Sequence, residues 1–383
     1  MTSRVLLDGV RAALPALEAE AEESERLRRP TDAAIELLEA TRCLELLVPR
    51  AYGGLELDLD VFLECALALG EADASLAWVA SFYMEHNWLL CQFPEPFQRE
   101  LFADRAAVRA PAALFGESTI REQRGGFALD GRWHWASGAM HAEWVMVGGA
   151  SDPANPATAC LFALPADEVG IDDVWHVDGL CATGSNDIVI EDGFVPRERS
   201  ASLLDIASGN GLGATLHASP IYGSPMAPVL LTAAASPVVG QARSVVRRFG
   251  EKATERVRAM SAVAERDRSA VQARLAESAH EVREAELLMR DVIAEVMRRR
   301  GDASLLERAR WSLALTRAVH GARRAIQRIA DASGGSAHFQ RDPLQRAVRD
   351  ANTASSHVAF DWDARHELWG RLQLGLEADG FLF

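Results

Sequence analysis

Apolar residues recur at helical spacing through the first hundred positions. Leu6, Val10, Leu14 and Leu17 form one stripe, and Ile35 and Leu38 continue it after a cap at Thr31 and Asp32. Pro49 and the Gly53-Gly54 pair then break the chain. A second helix is predicted over Asp60–Gly70, with Phe62, Cys65 and Leu69 on one side. After Asp73 and Ser75, the residues Trp78, Phe82, His86, Leu89 and Phe93 fall three or four apart, which sets His86 in the middle of an apolar face. Such a histidine is either a core residue with a satisfied ring or a functional group, and the pattern leaves both open.

Near residue 106 the period changes from helix to strand. Phe127, Leu129, Trp133 and Trp135 alternate about Asp130-Gly131, which predicts a hairpin with a tight turn at that pair. Trp144 to Val147 and Ala159 to Leu164 are apolar runs of strand length, the second introduced by the breaker DPANPAT. In Ala182 to Pro196, a small polar loop of Thr183, Gly184 and Ser185 runs into the strand-forming Ile188, Val189 and Ile190. It reads either as a ligand loop on a rigid base or as an ordinary connecting turn. Trp135-Ala136-Ser137-Gly138 repeats the theme of an aromatic face beside a hydroxyl and a glycine. Together the two loops suit an isoalloxazine ring, the indole stacking on it and Ser137 reaching an edge nitrogen.

From Ser200 to Pro228 the chain is irregular. Its GNGLGA stretch, Gly209 to Ala214, has the form of a dinucleotide fingerprint. No Asp or Glu follows between Ile206 and Gly250, so the acidic partner of a Rossmann site is missing and the match is loop composition. Beyond Pro228 two long stripes follow, Val271 to Val296 and Leu305 to Ile329, predicting an antiparallel bundle. The pattern therefore divides the chain into a helical unit (1–105), a β-rich unit (106–200), an irregular linker (201–228) and a helical bundle (229–383).

Composition narrows the partners. With 55 acidic against 40 basic residues and a formal charge of −15, the long-range field repels polyanions, so neither nucleic acid nor an anionic membrane is an expected partner. The five cysteines show no metal or disulfide spacing, and the N-terminal stretch has no apolar core of signal-peptide length, so a cytoplasmic location is expected.

PRAYGG at Pro49–Gly54, the loop ending at Gly138, GLCATGSNDIVIEDGFVP at Gly179–Pro196 and SGGSAHFQRDPLQRAVRDAN at Ser333–Asn352 occur in an order that resembles the acyl-CoA dehydrogenase superfamily. The resemblance implies a mainly α fold with a central β-barrel domain, between an N-terminal helical domain and a C-terminal four-helix bundle. It also implies a homotetramer with flavin at its interfaces. In the dehydrogenases a glutamate commonly lies eight residues after an Arg-Asp pair; here that position is Val358, which cannot act as a base. The other family position, on the first bundle helix, falls in the acid-free run. The closing segment ASSHVAFDWD, Ala354–Asp363, is instead similar to the two-component, reduced-flavin-dependent monooxygenases.

That branch implies an oxygenase component supplied with FADH2 or FMNH2 by a separate NAD(P)H-dependent flavin reductase. O2 then forms a flavin C4a-hydroperoxide that hydroxylates a phenolic or other electron-rich aromatic. The alternatives are N-hydroxylation of an amine by the same chemistry, and an acyl-CoA dehydrogenase. By position His357 and His86 correspond to histidines flanking the substrate, with His357 expected as the base, an assignment that can be reversed. Trp135, Ser137, Gly138, Thr183 and Ser185 are expected at the flavin, with Arg258 and Gln272 matching the spacing of the residues at its phosphate. Tyr83, Tyr222, Phe360 and Trp362 are candidates for the substrate pocket. No metal is expected.

Overall fold

The computed structural model describes residues 1–255 and 264–377. Five helices open the chain: α1 (Ser3–Leu27), α2 (Asp32–Thr41), α3 (Leu59–Ala72), α4 (Ala74–Leu90) and α5 (Glu95–Leu101). Thr31 caps α2 through the Ala34 N–H, and Asp73 caps α4 through the Leu76 N–H, so both sequence caps act where the chain enters a helix. Every residue of α4 is buried. It is the central element of the N-terminal unit, covered by α3 on one side and by the bundle and the β unit on others.

Eight strands follow: β1 (Ala112–Ala113), β2 (Phe115–Gln123), β3 (Gly126–Ala136), β4 (Trp144–Ala150), β5 (Ala159–Pro165), β6 (Gly170–Asp172), β7 (Asn186–Pro196) and β8 (Ser200–Ser202). They form two four-stranded sheets, β1-β4-β5-β8 and β2-β3-β7-β6. The sheets share one core of Ile120, Leu129, Trp133, Val147, Phe162 and Ile188. Among the described residues no ladder joins the sheets, so the unit is a pair of sheets across one core rather than a closed barrel.

The hairpin expected at Asp130-Gly131 is not there. β3 runs straight through that pair, and its turn to β2 is at Arg124-Gly125, with Gly125 at φ +87°. Gly131 instead marks a slip in the β3–β7 register, and a Cβ there would lie 2.5 Å from the Glu117 carbonyl oxygen. The glycine serves close backbone approach at a bulge, not a reversal.

Two short helices, α6 (Leu203–Ser208) and α7 (Gly213–Leu216), occupy the irregular stretch. Gly209 closes α6 at φ +81°, and Gly211 and Gly213 press against Gln92 at the end of α4. The GNGLGA glycines thus serve packing. The bundle comprises α8 (Met226–Glu255), α9 (Ser269–Arg299), α10 (Leu305–Ser333), α11 (Pro343–Ser355) and α12 (Trp362–Gln373). By length and composition α8 could span a membrane, but 89% of its apolar window is buried within the protein, which makes it a core helix. Ser304 and Glu307 form a capping box at the start of α10.

Candidate active site

The four-residue spacing of Trp78, Phe82 and His86 puts their rings in a row along α4. Ring centroids lie 5.2 Å apart for Trp78–Phe82 and 5.4 Å for Phe82–His86. At the other end Trp78 meets the edge of His357, 5.9 Å away, and His357 lies 6.3 Å from Phe360. His86 is buried and His357 is exposed, so the row of rings leads from the interior to the surface.

Beside Trp78 lies a line of hydroxyls. The Trp78 Nε1–H donates to Ser137 Oγ at 3.0 Å, Ser137 and Ser185 hydroxyls are 2.7 Å apart, and Ser185 and Thr183 hydroxyls are 2.7 Å apart. The backbone brings them together: Gly138 N–H donates to the Thr183 carbonyl at 2.8 Å, joining the end of β3 to the loop before β7. Gly138 has φ +84°, and a Cβ there would lie 2.5 Å from Tyr83 Oη, which donates to the Gly138 carbonyl. The exposed Trp135 indole lies 5.9 Å from Trp175, so two indoles flank the open side of this loop pair.

The loop is anchored from beneath. Leu180, at φ +54°, donates its N–H to Asp350 Oδ1 at 2.7 Å, and Asp73 pairs with Arg346 Nε at 3.2 Å. Burial first, then repulsion from Asp73, raises the Asp350 pKa; burial raises Asp73 also, against the pull of Arg346. A cavity of about 250 Å³ lies on the far side of this cluster, lined by Asp73, Gln241, Arg248, Lys252 and Arg346; none of the ring row opens into it.

Both histidines rest neutral, chiefly through burial. Burial depresses the His86 pKa to about 3, opposed by the Ala110 carbonyl, and its Nδ1 has no partner. Its Nε2 lies 3.4 Å from Oε2 of Glu85, a fully buried carboxyl whose pKa burial holds well above the usual carboxylate range. Burial, and then the Arg365 guanidinium, lowers the His357 pKa to about 4. His357 Nδ1 accepts the Ala359 N–H at 3.1 Å, so its neutral ring carries the proton on Nε2 and presents a donor.

Residues 232–362 match the family described as "Acyl-CoA dehydrogenase, C-terminal domain". The chain is 30% identical over 370 residues to the flavin-dependent monooxygenase, oxygenase subunit HsaA, of Rhodococcus jostii (strain RHA1), covering 95% of this chain and 97% of that one. It belongs to the flavin-dependent monooxygenase oxygenase subunits. This oxygenase subunit is also 31% identical over 378 residues to the FADH(2)-dependent resorcinol hydroxylase, oxygenase component, of Rhizobium sp. (strain MTP-10005), covering 94% of this chain and 91% of that one. A crystal structure of 3-HSA hydroxylase from Rhodococcus sp. RHA1 superposes with a TM-score of 0.93 at 29% identity, covering 99% of this chain and 98% of that one. The fold is therefore that of the acyl-CoA dehydrogenases, and the enzyme is an oxidoreductase that uses reduced flavin and O2.

Within the oxygenase subunit, the expected His86, His357, Phe360, Ser137, Gly138, Thr183 and Ser185 converge about Trp78. The fit to a flavin rests on Ser137, only partly buried at the end of the hydroxyl line, and on the open Trp135–Trp175 indoles. Other expected residues are engaged elsewhere. Tyr83 is fully buried and spends its hydroxyl on Gly138, so it shapes the loop rather than the pocket. Tyr222 donates to the Leu47 carbonyl at 2.9 Å and its ring packs on His217. Trp362 sits at the surface among His320, His366 and Arg317. Gln272, near the start of α9, is exposed and donates to the Arg266 carbonyl. Arg258 lies outside the described residues. The sequence reading missed the link made by Trp78, which stands on the stripe that carries His86, and the buried acid Glu85, the residue just before His86.

Proposed function

We propose that this oxygenase subunit hydroxylates a phenol, with the aromatic ring lying along the row Trp78–Phe82–His86 and its oxygen at the His357 end. The observation that carries this is the pair of neutral imidazoles of opposite polarity at the two ends of one aromatic row. His357 Nε2–H donates to the phenolic oxygen, and the neutral, buried His86 closes the inner end of the row beside Phe82. That hydrogen bond strengthens as negative charge develops on the phenolic oxygen during attack on the ring. This reverses the first assignment of His357 as base, because His357 Nδ1 is occupied by the Ala359 N–H.

Reduced flavin, once bound at Ser137, Ser185, Thr183 and Trp135, supplies the two electrons that turn O2 into an electrophilic oxygen donor. The chain's own part is to hold the flavin edge at Ser137, to line the substrate side with Trp78 and Phe82, and to exclude water there. Gln272 and Arg258 remain our candidates for the flavin phosphate. The name of the resorcinol hydroxylase supports a phenolic substrate, and the words oxygenase subunit and oxygenase component in the two names support a separate reductase, which we take to be NAD(P)H-dependent. The exposed Phe115, Trp135 and Met140 support burial of this face between subunits of a homotetramer, and five free cysteines support a reducing cytoplasm.

The test is to screen phenols and anilines with a generic NADH:flavin reductase, offering FMN and FAD in parallel. A hydroxylated phenol supports the reading. Oxygenation of the amine nitrogen with phenols inert would replace it with the N-hydroxylase reading.

A further inference from the structure

The hydroxyl line beside Trp78 can be counted proton by proton. Three contacts each require a hydroxyl proton: Thr183 Oγ1 to the Leu180 carbonyl at 2.9 Å, Thr183 to Ser185 at 2.7 Å, and Ser185 to Ser137 at 2.7 Å. Three hydroxyls supply three protons. All contacts are met in one arrangement only, in which Thr183 donates to Leu180, Ser185 to Thr183, and Ser137 to Ser185. Ser137 then accepts from Trp78 Nε1 and retains one lone pair but no free proton. Reversing the line would free the Ser137 proton but leave two oxygens 2.9 Å apart, Thr183 Oγ1 and the Leu180 carbonyl, with none between them. Thr183 and Ser185 are buried, so bulk water cannot fill that gap.

Resting on the reading that Ser137 meets the flavin N5 edge, we propose that Thr183 sets which oxidation state of flavin this site prefers. By fixing the direction of the hydroxyl line, it leaves Ser137 as an acceptor. Reduced flavin carries an N5–H that this lone pair accepts. Oxidised flavin carries a bare N5, which needs a donor and meets a lone pair instead. The site thus favours incoming reduced flavin and helps release the oxidised form.

Thr183→Val is a mild perturbation, because the Leu180 carbonyl also accepts the Trp175 Nε1–H at 2.9 Å and the Thr183 N–H at 3.1 Å. It frees one proton in the line, so Ser137 can donate outward. Ser185→Ala, which breaks the line one step later, serves as a second variant. The experiment measures the dissociation constants of oxidised FMN and FAD by fluorescence quenching, and of the reduced forms by anaerobic ultrafiltration. In both variants the oxidised-to-reduced ratio is expected to fall by about tenfold, mainly through tighter binding of oxidised flavin. Ratios within about twofold of wild type in both variants, with Ser137→Ala weakening flavin binding, overturn the inference alone. Flavin binding indifferent to Ser137→Ala overturns the placement of flavin at Ser137, and the inference with it.

Discussion

His357→Asn separates the structural from the chemical role of this histidine. Asn Oδ1 stands where His Nδ1 does and can accept the same Ala359 N–H, so the short turn after α11 keeps its cap. What is lost is the Nε2–H, which the shorter side chain cannot replace. A hydrogen bond to an oxygen gaining negative charge is worth about 1.5–3 kcal/mol, which converts to roughly 10- to 150-fold in kcat/KM for the phenol. The residue is exposed, so the melting temperature should stay within about 2 °C of wild type. The assay is product formed and H2O2 released per reduced flavin consumed, with a generic reductase supplying the flavin. Flavin consumption should continue while product falls and H2O2 rises. A folded Asn variant giving product within about threefold of wild type would refute the donor role.

Three further outcomes follow from the geometry. His86 is neutral when folded, with its pKa depressed from 6.5 to about 3, so the unfolded chain binds the extra proton between those values. Its stabilising share is present above pH 6.5 and is lost as pH falls toward 3, by about 5 kcal/mol at most, and urea unfolding of His86→Phe should show a flatter acid dependence. Gly138→Ala forces a Cβ into Tyr83 Oη at φ +84° and should cost about 2–3 kcal/mol with weakened flavin binding, read by thermal unfolding and flavin titration. Asp350→Ala leaves the buried Leu180 N–H unpartnered; a loss of about 2–4 kcal/mol is expected, with faster amide exchange concentrated in the loop before β7.

The helical and strand periods exposed most of the architecture because burial of one face is a local demand on sequence. The stripe from Trp78 to Phe93 marked α4 and placed His86 correctly on its inner face, and the small polar loop before Ile188 was visible as a loop leading into a strand. Long-range partners were not visible. Trp78 reaches Ser137 across 59 positions, and Asp350 reaches Leu180 across 170, and neither spacing leaves a periodic trace. The direction of the His357 ring was hidden for another reason: it depends on one backbone N–H two residues away. Asp130-Gly131 misled because turn composition also suits a bulge, where glycine meets a neighbouring strand. Tyr83 and Tyr222 have pocket chemistry, but each hydroxyl had already found a carbonyl.

The most direct trial of the account is to supply reduced flavin and isotopically labelled O2 to the protein with resorcinol or a related phenol, and to weigh the product. One labelled oxygen atom per hydroxylated ring is predicted, with His357→Asn diverting the label to hydrogen peroxide. Label found only in peroxide with the wild-type protein, across phenols that demonstrably bind alongside reduced flavin, would contradict it.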